Sequence, residues 1–260
     1  MNNQNHVTII RAKEGWQPID WGELWHYKDL MYFLIIRNIE TRYAQSVLGI
    51  GWAIVRPVFS MIIFSIVFGK LAKINSDGVP YAIFSYTALV PWTYFSGALS
   101  SSSNSLLSSA GMMTKVYFPR LIIPLTPIIS QLVDFVIAFI ILLCLMTYYQ
   151  FYPSSQILYL PILTILMMLS ASGLGMWFTA LAIQYRDVKH AISFIIQILM
   201  YLAPVVYPAS NVPEKFRLLY GCFPMAGVIE GFRSIFLETN PMPWYLVTMG
   251  FLASILLFVS

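Results

Sequence analysis

The sequence predicts an all-α membrane protein with six transmembrane helices, an N-terminal amphipathic helix at the membrane interface, and short outer re-entrant helices between helices 5 and 6. Two observations predict this class. The 260 residues are 58% hydrophobic and only 10% charged, whereas soluble domains carry about 25% charged residues. Several apolar runs also approach the ~20 residues that a helix needs to cross about 30 Å of hydrocarbon.

The six spans are the long apolar runs of the chain. Backbone N–H and C=O groups inside a membrane must bond to one another, so helices are expected at these lengths. Only Arg56 and Asp134 are charged within the runs. The predicted spans cover residues 47–69, 81–99, 121–149, 157–183, 191–207 and 244–260.

Two regions follow from this division. Residues 1–46 form a cytoplasmic N-terminus, and residues 47–260 form the six-helix domain. Before the first span, tryptophans and leucines alternate with charged residues, a pattern typical of an interfacial helix. A simple aromatic anchor is the alternative. The polar beginning of the chain lacks the apolar run of a cleaved secretory signal.

Basic residues indicate the orientation. With the N-terminus inside, nine of the fifteen Lys and Arg residues lie in inner segments. The positive-inside rule therefore favours both termini in the cytoplasm. The nine are Arg11, Lys13, Lys28, Arg37, Arg42, Lys115, Arg120, Arg186 and Lys189.

The stretch 208–243, between the fifth and sixth spans, is predicted to lie on the outer side. Its apolar pieces, 216–223 and 226–237, are too short for another pair of spans. Short re-entrant or interfacial helices are therefore expected. Glu230 and Arg233 are three residues apart, the spacing at which a helix forms an ion pair.

Composition and motifs argue against several function classes. No glycine-rich phosphate loop is present, so this chain is not expected to bind ATP. Its three histidines are far apart in sequence and its two cysteines form no ligand motif, so no metal site is expected. No nucleophile with a base can be identified, and a scattered net charge of +4 does not indicate nucleic acid. We expect no catalytic residue and no cofactor, and a protein that transports, anchors or signals.

Segments between the spans resemble the permease subunits of ABC-2 type exporters of cell-surface polysaccharides, namely O-antigen, capsule and teichoic acid. They occur in family order across roughly residues 20–257. The chain departs from the family pattern at Phe223, where Asn is expected, and at Ser260, where a charged cytoplasmic tail is missing or truncated. The resembling segments are Arg42-Tyr43, Leu48-Gly49, Trp52, Pro57, SDGVPY at 76–81, Pro91-Trp92, KVYFPR at 115–120, YRDV at 185–188, PVVYP at 204–208 and AGVIEGFR at 226–233.

The resemblance implies a homodimer in the cytoplasmic (inner) membrane, bound on its inner side by a separate ATPase dimer that uses ATP and Mg²⁺. It implies export of a lipid-linked polysaccharide, such as O-antigen on a polyprenyl diphosphate. Three alternatives stay open: export of a drug or small amphiphile by the same family, an intramembrane enzyme acting on a lipid-linked glycan, and a passive channel.

Two short inner loops are candidates for contact with the ATPase. In the family, such loops are coupling helices that dock on that subunit, and aromatic and cationic residues are common at interfaces. Ordinary positive-inside anchoring is the alternative. The candidate coupling residues are Lys115, Tyr117, Phe118, Arg120, Tyr185, Arg186 and Asp187.

Two stripes at helical spacing are candidates for a substrate conduit. Aromatic faces can pack against sugar C–H surfaces, and a charge within a span is costly unless it pairs, snorkels or faces water. If the two spans face each other across the dimer, as the resemblance implies, the stripes line the pathway; helix packing is the alternative. The stripes are Trp52, Arg56 and Phe59 on the first span and Phe194, Gln197 and Tyr201 on the fifth.

Basic residues at the inner surface could meet the substrate's diphosphate, because guanidinium groups bind phosphate well. The candidates are Lys28, Arg37 and Arg42. Asp134 needs a partner or water, with Arg56 as one possible mate and a proton relay as the alternative.

Small residues predict close helix packing at two places. One is the serine-rich stretch 96–109, for which a hydrated vestibule is the alternative; the other is 173–179.

Overall fold

The computed structural model of the protein describes residues 21–44, 49–115, 117–185, 187–238 and 240–259. Every regular element in these ranges is helical. The α-helices are α1 (Trp21–His26), α2 (Lys28–Tyr43), α3 (Gly51–Phe64), α4 (Tyr81–Ser108), α5 (Ala110–Met113), α6 (Ile122–Ser130), α7 (Leu132–Tyr149), α8 (Leu160–Gln184), α9 (Val188–Leu202), α10 (Arg217–Gly221), α11 (Pro224–Leu237) and α12 (Trp244–Val259). A π-helical turn, Ser65–Leu71, continues α3, and short 3₁₀ segments cover Ser155–Tyr159, Ala209–Asn211 and Glu214–Phe216.

Each predicted span overlaps a helical segment, and three segments are both long and apolar enough to cross a membrane. These are Gly51–Leu71, Ile122–Tyr149 and Ser155–Gln184. Two more apolar helices, α9 and α12, are shorter, with 15 and 16 residues. The prediction of an all-helical, membrane-spanning fold is therefore confirmed at this coarser level.

The central helix is α4, which packs against α3, α6, α7, α8, α9 and α11. It has 28 residues, but tyrosine, serine and threonine make it less apolar than the other long helices. Burial among protein helices explains this composition, because its polar groups find backbone partners. Tyr86 donates to the carbonyl of Ala138 at 3.3 Å, and Tyr94 donates to the carbonyl of Ile128 at 3.0 Å.

The contact between α4 and α8 shows the predicted close packing at Ser102, Gly175 and Thr179, whereas other serines of the stretch line a cavity: Ser101, Ser105, Ser108 and Ser109. Thr179 Oγ1 donates to the Ser102 carbonyl at 2.9 Å, while Ser102 Oγ donates to the Pro124 carbonyl on α6 at 3.0 Å. A Cβ on Gly175 would lie 2.7 Å from Ser102 Oγ. The hydroxyls thus connect three helices whose close approach requires small side chains.

The third predicted span is divided into α6 and α7, with Gln131 between them. Pro127 lies inside α6 and has no N–H to donate to the preceding turn. The chain nevertheless continues as a helix, since Gln131 N donates to the Pro127 carbonyl at 3.0 Å and Phe135 N to the Gln131 carbonyl at 3.1 Å.

The stretch 208–243, which is predicted to lie on the outer side, contains α10 and α11, and all 14 residues of α11 are buried. It packs against α4, α8 and α12. The predicted ion pair is confirmed: Arg233 Nη1 lies 2.8 Å from Glu230 Oε1. Both side chains are enclosed in protein, so the pair is part of the core.

A single methyl group at Gly227 is expected to destabilise the protein. The added Cβ would lie 2.8 Å from the backbone C and O of Leu246 on α12, so α11 and α12 must separate. We expect Gly227→Ala to cost about 1–3 kcal/mol, as overpacking usually does. Thermal unfolding of the purified protein measures this loss. Gly111→Ala is the matched control, because its Cβ would meet nothing within 4 Å; equal unfolding midpoints for the two variants would contradict the prediction.

Candidate functional site

A cavity of about 400 Å³ lies where α2, α3, α4 and α7 meet. We call it the arginine cavity. Its lining includes residues that the sequence analysis assigned to different candidate sites. Arg42 was a diphosphate candidate, whereas Trp52 and Arg56 belonged to the conduit stripe on the first span. The three conduit candidates on α9 and the two other diphosphate candidates are not among its lining residues.

Arg42, at the end of α2, is held by a polar network. Its Nη1 donates to Gln131 Oε1 and to Asp134 Oδ2, both at 2.7 Å. Its Nη2 lies 3.4 Å from Asn38 Oδ1 and 3.4 Å from Ser130 Oγ. Both terminal nitrogens of the guanidinium therefore already have partners.

Asp134 is the acceptor at the centre of this network. It accepts from Arg42, from Gln131 Nε2 at 2.7 Å, and from the hydroxyl of Tyr43. Its partner is Arg42 and not Arg56, the mate considered from the sequence. The ion pair satisfies the partly buried carboxylate and fixes the end of α2 against α7.

Gly97 on α4 makes room for the network. A Cβ at this position would lie 2.8 Å from Gln131 Nε2 and 2.9 Å from Gln131 Cδ. A larger residue would push the Gln131 amide away from Arg42 and Asp134. The glycine thus serves the site through a close approach of side chain and backbone.

Arg56 differs from Arg42 in its surroundings. It is exposed, and its guanidinium carbon lies 5.7 Å from the centre of the Trp52 ring, a cation–π contact. Within the part of the chain that the structure describes, it forms no ion pair. Its positive charge on the cavity wall is therefore not neutralised by a carboxylate from these residues.

Both conduit stripes lie on the outside of the protomer. Trp52 is 43% exposed and Phe59 60% on α3, and Phe194 and Tyr201 are comparably exposed on α9. Gln197 is exposed as well. These aromatic side chains are available to another molecule, because the protomer's own core does not enclose them.

A second, smaller cavity of about 240 Å³ lies between α2, α4 and α6. Arg37 lines it together with Asn38, Thr41 and serines of α4. Ser105 and Ser108 donate to carbonyls of their own helix, so their oxygens face the cavity mainly as acceptors. Lys28 lies elsewhere, with Nζ 5.2 Å from the centre of the Trp25 ring.

The first of the two predicted inner loops, which contains Tyr117, is attached to α1. The hydroxyl of Tyr117 donates to Glu23 Oε1 at 3.2 Å, and this hydrogen bond raises the pKa of Tyr117. Lys115 and Arg120 are exposed. Phe118 is only 6% exposed, so its ring anchors the loop and is not available to a partner.

The second inner loop presents Tyr185 and Asp187, both exposed, before α9 begins. The remaining coupling candidate, Arg186, lies outside the described residues.

Sequence reasoning missed the network around Asp134. Arg42 and Asp134 are 92 positions apart, and no local spacing connects them. The one available signal was that the single acid within the spans needed a cation. Gln131 carried no signal of its own, and Tyr43 stood out only as part of the Arg42-Tyr43 segment that resembles the family.

The described residues contain no group of three or more His, Cys, Asp or Glu side chains that could hold a metal ion. The polar side chains of the arginine cavity are instead donors and acceptors suited to a charged, hydrogen-bonding ligand.

Comparison with known proteins gives consistent matches. The sequence matches the ABC-2 type transporter family over residues 29–237. It is 27% identical over 211 residues to "O-antigen export system permease protein RfbA" of Klebsiella pneumoniae, covering 81% of each chain. The protein of the same name from Myxococcus xanthus is 25% identical over 218 residues, 83% of each chain. "Polysialic acid transport protein KpsM" of Escherichia coli is 23% identical over 228 residues, 85% of each chain. Since the family match covers most of the sequence, this chain belongs to the ABC-2 type transporter family.

Proposed function

We propose that this chain is the transmembrane permease subunit of an ATP-driven exporter of a lipid-linked cell-surface polysaccharide, such as O-antigen carried on a polyprenyl diphosphate. The observation that best supports this proposal is that the arginine cavity adjoins an exposed aromatic face at Trp52. One wall suits a phosphate and the other suits sugar rings. The printed names of the relatives support the same substrate class.

In this proposal α3, α4, α6 with α7, α8, α9 and α12 are the six spans, with the N-terminus in the cytoplasm. The outer stretch 208–243 contains the re-entrant helices, and α1 with α2 lies at the inner interface. Two copies pair so that α3 and α9 face the pathway. The exposed aromatic residues on both helices support that pairing.

The substrate's diphosphate first meets basic residues at the inner surface. Lys28 and Arg37 are the candidates for that first contact, because neither forms an ion pair among the described residues. Arg42 lies deeper, in the arginine cavity. The family is one of transporters, so the intramembrane enzyme and the passive channel are disfavoured, and the names of the relatives disfavour a drug as substrate.

The direct test compares surface and intracellular glycan in a strain that lacks this chain. We expect lipid-linked polymer to accumulate inside and to disappear from the surface, as seen by fractionation and blotting. Complementation with the intact gene should restore both. Normal surface glycan without accumulation would contradict the proposed substrate.

Removing three aromatic side chains of the two conduit stripes together should reduce export. We expect the triple variant Trp52→Ala, Phe59→Ala and Tyr201→Ala to lower surface glycan roughly tenfold, since aromatic contacts contribute about 0.5–1.5 kcal/mol each. The control is Tyr148→Ala, which removes one aromatic side chain on α7 that is 79% exposed and lies outside the conduit stripes. Unchanged export and ATPase activity in a stably folded triple variant would favour a packing role instead.

Reversing the charge at Arg120 should weaken binding of the ATPase, because the first inner loop is proposed to dock on it. ATP and Mg²⁺ belong to that partner. We expect Arg120→Glu to reduce the amount of ATPase that co-purifies with the permease by roughly tenfold, because a charged hydrogen bond at an interface contributes about that factor to affinity. Lys215→Glu, an exposed basic residue of the outer stretch, is the control. If both variants retain the ATPase and export equally well, Arg120 is only a membrane anchor.

A further inference from the structure

We infer that Arg56, and not Arg42, is the residue of the arginine cavity that binds a phosphate group of the substrate. This inference rests on the proposed function and names the residue on which binding of the substrate's headgroup depends. The cavity wall carries two arginines and one aspartate, and its other residues are uncharged. The two arginines therefore compete for the role, and their surroundings distinguish them.

Arg42 has little capacity left for a ligand. Its charge is balanced by Asp134 at 2.7 Å, and its two terminal nitrogens have four partners within the protein. A phosphate could bind Arg42 only by displacing Asp134, which would then be without its only ionic partner among the described residues. Such an exchange leaves a carboxylate beside an incoming anion and is unfavourable.

Arg56 has the opposite character. No carboxylate among the described residues neutralises it, and the ring of Trp52 contacts one side of its guanidinium at 5.7 Å. Its donors are therefore free for an anion. A bare cation at the depth of a span is costly, so an anionic ligand at this position stabilises the protein as well as binding to it.

The shape of the site fits a headgroup with an apolar tail. About 400 Å³ is within the range of small-molecule sites, about 300–1,000 Å³. Arg56 lies five residues into α3, roughly 7.5 Å along the helix axis from Gly51. Trp52 belongs both to the cavity and to the exposed face of α3. A phosphate can thus sit at Arg56 while the chain attached to it remains outside the protomer.

The phosphate could belong to the polyprenyl carrier or to a bilayer phospholipid, and one experiment separates them. The permease is purified with its ATPase and placed in nanodiscs. Binding is measured for three probes: polyprenyl diphosphate, the unphosphorylated polyprenol, and phosphatidylglycerol. We expect Arg56→Gln to weaken binding of polyprenyl diphosphate roughly 10- to 100-fold, the effect of removing one charged hydrogen-bonding group, with Arg56→Lys in between. Polyprenol and phosphatidylglycerol should bind all variants equally.

Controls separate binding from folding. Arg56→Gln should not lower the unfolding midpoint, whereas Arg42→Gln should lower it, because only Arg42 of the two arginines connects helices. Lys215→Gln removes the same charge outside the cavity and should bind polyprenyl diphosphate like the unchanged protein.

Three outcomes would overturn the inference. Normal binding of polyprenyl diphosphate by Arg56→Gln would show that Arg56 does not bind the phosphate, but it would not contradict the proposed function. Weaker binding of phosphatidylglycerol alone would assign Arg56 to bilayer lipid. If the unchanged complex exports glycan but binds no polyprenyl diphosphate, the proposed carrier itself is wrong, and the inference fails with it.

Discussion

Glu230→Ala is expected to destabilise the protein by about 3–5 kcal/mol, the cost of removing one partner from a buried ion pair. Arg233 is 1% exposed and its guanidinium lies 3.7 Å from the centre of the Phe84 ring. Without the carboxylate, a positive charge remains buried with only two backbone carbonyls as acceptors among the described residues, those of Val205 and Tyr207. Glu230 Oε1 also accepts from the N–H of Ala209 at 3.0 Å, and the substitution removes that bond too.

Thermal unfolding in nanodiscs measures the loss of stability, with Glu40→Ala, an exposed glutamate of α2, as the control. Glu230→Gln should be less destabilised, because its amide oxygen can still accept from Ala209. Replacing both members, with Glu230→Leu and Arg233→Met, removes the buried charge but deprives two carbonyls of their donor and the N–H of Ala209 of its acceptor. The stability of this double variant should fall between those of Glu230→Ala and the unchanged protein. A double variant as unstable as Glu230→Ala would show that the unpaired charge is not the cause.

Asp134→Ala is expected to abolish most export and to destabilise the protein by at least about 2 kcal/mol, since charged hydrogen bonds contribute about 1.5–3 kcal/mol. The change removes the acceptor of Arg42, Gln131 and Tyr43 together. The end of α2 is then no longer attached to α7 by an ion pair. Surface glycan and the unfolding midpoint are the two measurements.

Two further variants test the cause. Asp134→Asn keeps an acceptor without the charge and should retain more stability than Asp134→Ala. Asp29→Ala, an exposed acid in the first turn of α2, should cost less than about 1 kcal/mol, the usual contribution of a charge to a helix dipole. If Asp134→Ala and Asp29→Ala were equally stable, the network would not hold α2.

Local patterns in the sequence predicted local structure well. The apolar run 47–69 became Gly51–Leu71, and 244–260 became Trp244–Val259, because a membrane helix is defined by its own composition. The Glu230–Arg233 pair was also predictable, since both partners lie on one helix turn. The break at Gln131 was not predicted, because the apolar run continues through it and only Pro127 marked the site.

Contacts between distant segments were not predictable from one sequence. Asp134 was known to need a cation, but composition could not distinguish Arg42 from Arg56. The choice depends on the packing of α2 against α6, which brings Ser130, Gln131 and Asp134 to the guanidinium of Arg42. The burial of Phe118 also depends on tertiary packing, since the ring immediately before it in the sequence is exposed.

The complete burial of α11 has a consequence for how this protein can vary. Lipid is a fluid neighbour that adapts to a changed side chain, so α12, which has many exposed apolar positions, can exchange one apolar residue for another at little cost. No position of α11 has that freedom, because each of its residues is enclosed by protein, and interiors tolerate few changes in volume. A saturation mutagenesis screen should therefore find α11 as intolerant as the core of a soluble enzyme, and substitutions in surviving variants should concentrate on the exposed positions of α12.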